Sequence, residues 1–197
     1  PLAYFLAFKS KKTKPFIETI VTLPLVLPPT VIGFYLIIFF SPETALGKIF
    51  IILTGEQLIF SFYGLVLASI IYSLPFWVQP LQASFEKIGR DTIWTSHSLG
   101  AGLLDTFFNV IIPLSKKGFF TSFIISFAHT LGEFGIVLMV GGGIHGKTKV
   151  IAISIYDHVE QLSFDKAHIL AGGMLILSFI ILLTLFYFNK RTVVRVK

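Results

Sequence analysis

Residues Ala167 to Phe188 read A-H-I-L-A-G-G-M-L-I-L-S-F-I-I-L-L-T-L-F-Y-F, hold no Asp, Glu, Lys or Arg, and run into Asn189-Lys190-Arg191. A helix needs about 20 mostly apolar residues to cross the hydrocarbon core of a bilayer. This stretch is therefore expected to span a membrane. Three more stretches read the same way: Phe16–Phe40 with Glu18 near its start, the uncharged Leu58–Val78, and Phe119–Val140, interrupted by His129 and Glu133. Residues Pro1–Phe8 are also apolar and then meet Lys9, Lys11, Lys12 and Lys14. Eight residues cannot span, and the chain starts without Met, so this end reads as the tail of a truncated span. The expected architecture is an all-α polytopic membrane protein of about five spans, the first truncated, forming one transmembrane domain over residues 1–197.

Composition supports a membrane solvent. Of 197 residues, 54% are hydrophobic, 22 are Phe and only 13% are charged, where a soluble domain carries roughly a quarter. Mean hydropathy is +0.84. A soluble fold of this size cannot hide that much apolar surface. This excludes an ordinary cytosolic enzyme, a DNA-binding domain and a disordered chain. Zero cysteines exclude a disulfide scaffold, a thiolate metal site and a cysteine nucleophile. The net charge of +6 fits cytoplasmic loops enriched in Lys and Arg better than a nucleic-acid partner. Residues 9–15, 79–118 and 189–197 hold twelve of the sixteen basic residues; residues 41–57 and 141–166 hold Lys48, Lys147, Lys149 and Lys166. The first set, with the C-terminus, is expected in the cytoplasm.

Several residues stand out against this background. Pro24, Pro28 and Pro29 fall inside the Phe16–Phe40 stretch. Proline removes a backbone donor and clashes with the preceding turn, and broken helices of this kind line substrate paths in transporters. With Thr30, they are candidate path residues. Glu133 lies in Leu131-Gly132-Glu133-Phe134-Gly135. A carboxylate at membrane depth is by default a functional candidate, and the alternative is a brace hydrogen-bonded to nearby backbone. Thr130, Gly132 and Gly135 belong to the same candidate gate, and His129 and Thr130 are expected to share the cavity of Glu133. Gly141–Thr148 reads G-G-G-I-H-G-K-T and matches the phosphate-binding pattern G-x-x-x-x-G-K-[ST]. The segment falls on the outer side by the charge count, and no apolar strand ending in an Asp is available to hold Mg²⁺. A glycine-rich turn after a membrane helix accounts for it. His145, Asp157, His158, Glu160, Asp165 and His168 are metal-ligand types, but their spacing fits no compact site and reads as a polar loop. No metal and no cofactor are expected.

The segment from Gln82 to Gly118 is the longest polar stretch, and loops that long usually carry function. Leu81, Phe85 and Ile88 recur at helical spacing, so one face is apolar. Leu99-Gly100-Ala101-Gly102 is a run of small residues that permits close backbone approach. Asp105 is expected to cap a short helix bearing Phe107, Phe108, Val110 and Ile111, and Pro113 closes it. An amphipathic segment with a small-residue turn suits docking into a groove on another protein.

These residues carry a resemblance. The sequence resembles the inner-membrane permease subunits of bacterial and archaeal ABC importers, whose loop carries E-A-A-x-x-x-G followed about a dozen residues later by two apolar residues and Pro. Ser96-His97-Ser98-Leu99-Gly100-Ala101 is similar to the G-A part and Asn109-Val110-Ile111-Ile112-Pro113-Leu114 to the closing part. Thr95-Ser96-His97 stand in place of the E-A-A, and the turn glycine is kept. Thr22–Gly33 is similar to a membrane helix of molybdate permeases. Ala128–Gly135 resembles their A-R-S-L-G-E-F-G run, with His129 for the Arg, and Ile151–Tyr156 their I-P-L-A-I-Y stretch.

The resemblance implies a transport subunit, not an enzyme, forming a homodimer in the inner membrane. It also implies two cytoplasmic ABC ATPase subunits and an external oxyanion-binding protein. Ser98, Leu99, Gly100, Ala101, Gly102, Asp105 and Pro113 would then form the ATPase-coupling loop. The cargo would be molybdate or tungstate. Sulfate permeases share the G-E-F-G and proline elements, so sulfate or thiosulfate stays open. A rival class is a membrane-embedded enzyme using His129 and Glu133. A catalytic site wants a second base or a metal at the same depth, and the other stretches offer none.

Overall fold

A computed structural model describes residues 1–9 and 12–188. The described residues form helices and turns. After a short helical segment over Leu2–Lys9 come α1 (Lys14–Val26), α2 (Pro29–Phe40), α3 (Ala45–Thr54) and α4 (Phe62–Ser98). Then follow α5 (Leu103–Leu114, π-helical over Thr106–Ile111), α6 (Lys116–Gly132), α7 (Gly135–Gly141), α8 (Ile151–Glu160) and α9 (Phe164–Phe188). By length and composition two helices suffice to cross a membrane, Phe62–Ser98 and Phe164–Tyr187, or four spans if each of two bent pairs counts as one. The bent pairs are α1 with α2 and α5 with α6.

The expected all-α membrane architecture is present, with altered boundaries. The Phe16–Phe40 stretch breaks at Leu27-Pro28, where Pro28 takes φ −55°, ψ 139°. Pro29 then occupies the first turn of α2, the one place in a helix where a missing N–H costs nothing. Pro24 stays inside α1. The helix expected over Leu58–Val78 begins instead at Phe62 and continues to Ser98. The first half of the expected long loop is therefore helix, and α5 takes up most of the rest. Hydropathy falls after Val78, yet the helix runs on through Pro80 and kinks at Gly89, which takes φ 76°. The Phe119–Val140 stretch is not one helix either: it divides at Glu133-Phe134 into α6 and α7. Residues 41–57, expected as loop, contain α3, capped by Thr44, whose Oγ1 accepts the Gly47 N–H at 3.1 Å.

The chain divides into two compact units. The first comprises Pro1–Leu23, Leu74–Phe127 and Leu182–Lys197. Its core gathers Ala3, Leu6, Val21, Val78, Phe85, Ile93 and Ile111, with Leu81 and Ile88 packed against it, so the apolar face read from their spacing is the buried one. Edge-on rings of Tyr4 and Phe119 against Phe85 close this core. The second unit comprises Pro24–Ser73 and Ala128–Ile181. Its core gathers Leu36, Phe40, Leu58, Ala68, Tyr72, Ile136 and Val140. Helix α9 leaves long apolar side chains outward, Ile169 72%, Leu175 70% and Phe179 63% exposed, as a helix facing lipid does.

Candidate functional site

The small-residue run forms a tight reversal at the end of α4. Leu99 N–H reaches Thr95 O at 3.1 Å and Gly100 N–H reaches His97 O at 2.9 Å. Gly100 adopts φ +89°, a conformation that costs an L residue about 1–2 kcal/mol. His97 Nδ1 lies 2.8 Å from Ala101 O, and the buried hydroxyls of Ser96 and Thr106 meet at 2.9 Å, tying the turn to α5. Asp105 does not cap that helix. The helix starts at Leu103, with Gly102 as its flanking residue and no side-chain cap. Asp105 therefore falls in the first turn, where its carboxylate accepts from the Asn109 amide at 2.5 Å. Leu99 (84%), Leu103 (65%), Leu104 (75%) and Trp94 (62%) stand exposed around the turn. Pro113 sits in the last turn of α5, before a 69° bend into α6. Ser115, fully buried, donates its hydroxyl to Ile111 O at the bend.

The candidate gate residues lie in the second unit. Pro29 and Gly135 meet directly: a Cβ on Gly135 would sit 2.7 Å from Pro29 Cβ, so α2 approaches the start of α7 only because position 135 has no side chain. Glu133 occupies the break between α6 and α7 and is 7% exposed. Its Oε1 accepts the Ile136 N–H at 3.0 Å. An anionic acceptor at the first amides of a helix offsets their unpaired partial charge. His129 Nε2 stands 4.0 Å from Glu133 Oε2, and its ring lies on Tyr72 at 5.0 Å. The Thr130 and Ser73 hydroxyls are 2.8 Å apart. A cavity of about 350 Å³ opens beside them, lined by Ser69, Thr130, Glu133, Lys149 and Met174 among others. Thr30 is exposed and Gly132 has open space around it.

The model of the family "Binding-protein-dependent transport system inner membrane component" matches residues 1–192 of this chain. The chain belongs to this family. Among curated relatives of this inner-membrane component is the "Molybdenum transport system permease protein ModB" of Azotobacter vinelandii. It is 50% identical over 186 residues, covering 94% of this chain and 82% of that protein. The ModB protein of Haemophilus influenzae is 32% identical over 191 residues, covering 96% and 83%. The "Probable sulfate transport system permease protein cysT" of Chlorella vulgaris is 32% identical over 170 residues, covering 86% and 64%. These relatives are transport permeases. In fold, the chain is similar to a chain of a bacterial ABC transporter involved in the import of the acidic polysaccharide alginate. The TM-score is 0.69 at 17% identity, covering 98% of this chain and 71% of that one.

Within this inner-membrane component the G-G-G-I-H-G-K-T segment follows a helix, α7, and closes on itself. Thr148 is 2% exposed; its hydroxyl donates to Gly141 O and accepts the Ile144 N–H at 2.9 Å. The hydroxyl that would face Mg²⁺ in a nucleotide site is thus used inside the turn. Among the candidate metal ligands, Asp157 is held by Lys149 and Glu160 by the Tyr156 hydroxyl.

One cluster was not singled out by the sequence reading. The Gln82 side-chain amide donates to Glu18 Oε1 at 2.6 Å and to Glu86 Oε1 at 3.1 Å. Lys14 completes it at 2.7 Å from Glu86 and 3.6 Å from Glu18. The available signal was the four-residue spacing of Lys14 to Glu18 and of Gln82 to Glu86.

Proposed function

We propose that the chain is the transmembrane permease subunit of an ATP-driven importer for molybdate or tungstate. The observation that carries this reading is 50% identity to a molybdenum transport permease across 94% of the chain. Two copies form the pathway as a homodimer, two cytoplasmic ABC ATPase subunits supply energy, and an external binding protein delivers the oxyanion. The subunit itself hydrolyses nothing. Residues 1–197 act as one permease domain, with the C-terminus in the cytoplasm.

The segment about residues 82–118 couples the ATPase to the membrane helices. Leu99, Leu103 and Leu104 present apolar surface at a rigid turn, and Ser98, Gly100, Ala101, Gly102, Asp105 and Pro113 set its shape. Closure of the ATPase dimer pushes this turn, and the 69° bend at Ser115 passes the displacement into α6. The mechanism is alternating access, a population shift between two gates driven by ATP binding. The path residues are Pro24, Pro28, Pro29, Thr30, Thr130, Gly132, Glu133 and Gly135. Glu133 has the wrong sign to hold an oxyanion, since like charges repel more strongly in a low-dielectric setting than in water. It serves as a brace that fixes the start of α7.

The test is reconstitution with the cognate ATPase and binding protein. Molybdate or tungstate, and not sulfate, should stimulate ATP hydrolysis. Stimulation by sulfate alone transfers the assignment to the sulfate class that the Chlorella relative represents. Hydrolysis-independent chemistry abolished by His129→Ala would support the membrane-enzyme reading instead.

A further inference from the structure

We propose that the groove between α4 and the start of α6 binds the phosphate headgroup of an anionic membrane lipid. The groove lies wholly within the first unit and encloses about 550 Å³, inside the roughly 300–1,000 Å³ range of small-ligand sites. Lys87 on α4 and Lys117 on α6 line it, with the hydroxyls of Ser84, Thr92 and Thr121 between them and Ile88 on the apolar side. No carboxylate lines it. Among the described residues neither lysine has a carboxylate within ion-pair distance.

Position along the helices sets the depth. Lys116 and Lys117 immediately precede the apolar run from Phe119, and Lys87 and Arg90 follow the apolar run that ends at Val78. Basic residues at the ends of spanning helices lie at headgroup level. The start of α6 packs closely on α4 because Gly118 has no side chain: a Cβ there would stand 2.3 Å from Ser84 Cβ. Thr92 donates its hydroxyl to Ile88 O at 2.8 Å, which leaves two lysine cations and the Ser84 and Thr121 hydroxyls at headgroup level, above an apolar wall, to match a phosphodiester with its glycerol and upper acyl carbons. Basic pockets between membrane helices take headgroups on these terms.

The site is independent of the transported anion, so its test needs no transport. The intact permease complex is placed in nanodiscs of equimolar phosphatidylglycerol and phosphatidylcholine, and the lipids retained after delipidation are counted by native mass spectrometry. The wild type should retain phosphatidylglycerol preferentially. Lys87→Gln and Lys117→Gln should each cut that preference about fivefold, and the pair by roughly 25-fold. The Lys87→Arg/Lys117→Arg pair should keep it, as should the control pair Lys48→Gln/Lys147→Gln, which removes equal charge elsewhere. No preference in the wild type, or equal loss in the control pair, overturns the site. Displacement of the lipid by a few millimolar inorganic phosphate reassigns the groove to free phosphate and overturns the lipid reading.

Discussion

Replacing Glu133 separates a structural carboxylate from one that carries charge for transport. Its Oε1 accepts the Ile136 N–H at 3.0 Å inside a site that is 7% exposed. Alanine removes the acceptor and leaves amides at the start of α7 without a partner. A lost charged hydrogen bond costs about 1.5–3 kcal/mol, and a buried unsatisfied donor is of the same order. Glutamine keeps one carbonyl oxygen at the same reach, so its cost should fall near the roughly 1 kcal/mol of a neutral hydrogen bond. For a chain of this size each kcal/mol moves the melting temperature by about 2–4 °C. Glu133→Ala should therefore lower it by about 3–12 °C and Glu133→Gln by about 4 °C or less. The assay is thermal unfolding in detergent, followed by oxyanion uptake at equal membrane levels of each variant. Uptake should survive in Gln and fail, or fall with stability, in Ala. If Gln keeps its stability yet loses uptake as fully as Ala, the charge itself does the work and the brace reading is refuted.

Other substitutions probe the remaining geometry. Gly135→Ala should destabilise by about 1–3 kcal/mol, because its Cβ would press on Pro29, whereas Gly132→Ala, with open space around it, should stay within about 0.5 kcal/mol; chemical or thermal unfolding reads both. Gly100→Trp should abolish coupled ATP hydrolysis in the reconstituted complex while the subunit still inserts, and photocross-linking from Ser98 or Ala101 should capture the ATPase. Lys147→Ala should leave ATP-driven uptake nearly unchanged, while Thr148→Ala should cost about 1 kcal/mol or more, since its buried hydroxyl bridges Gly141 and Ile144. A transport-dead Lys147→Ala complex that still assembles would contradict the self-closed turn.

What the sequence made legible depended on signals that stay local. Ala167–Phe188 reads as a membrane helix because nearly all of its residues are apolar and none is Asp, Glu, Lys or Arg, and α9 covers it. The Pro28-Pro29 break is equally local, since each ring constrains its own φ and its neighbour's ψ. Phe85 was placed on an apolar helix face by spacing alone, and that face packs into the chain's own core, where Phe85 is 1% exposed. The continuation of α4 to Ser98 was not legible, because hydropathy marks where a helix leaves lipid and not where its hydrogen bonds end. The Gln82 cluster joins side chains 64 positions apart, a pairing that only the packed helices create. The Gly141–Thr148 turn shows the limit most sharply. Its residue types satisfy a phosphate-binding pattern at every required position, yet binding depends on which amides and hydroxyls remain unspent after the backbone folds. In this chain a helix leads into the turn, Gly142, Gly143 and Gly146 take positive φ, and the Thr148 hydroxyl is consumed within it. The pattern specifies a glycine-rich loop; the element before it and the fate of one hydroxyl decide what the loop can hold.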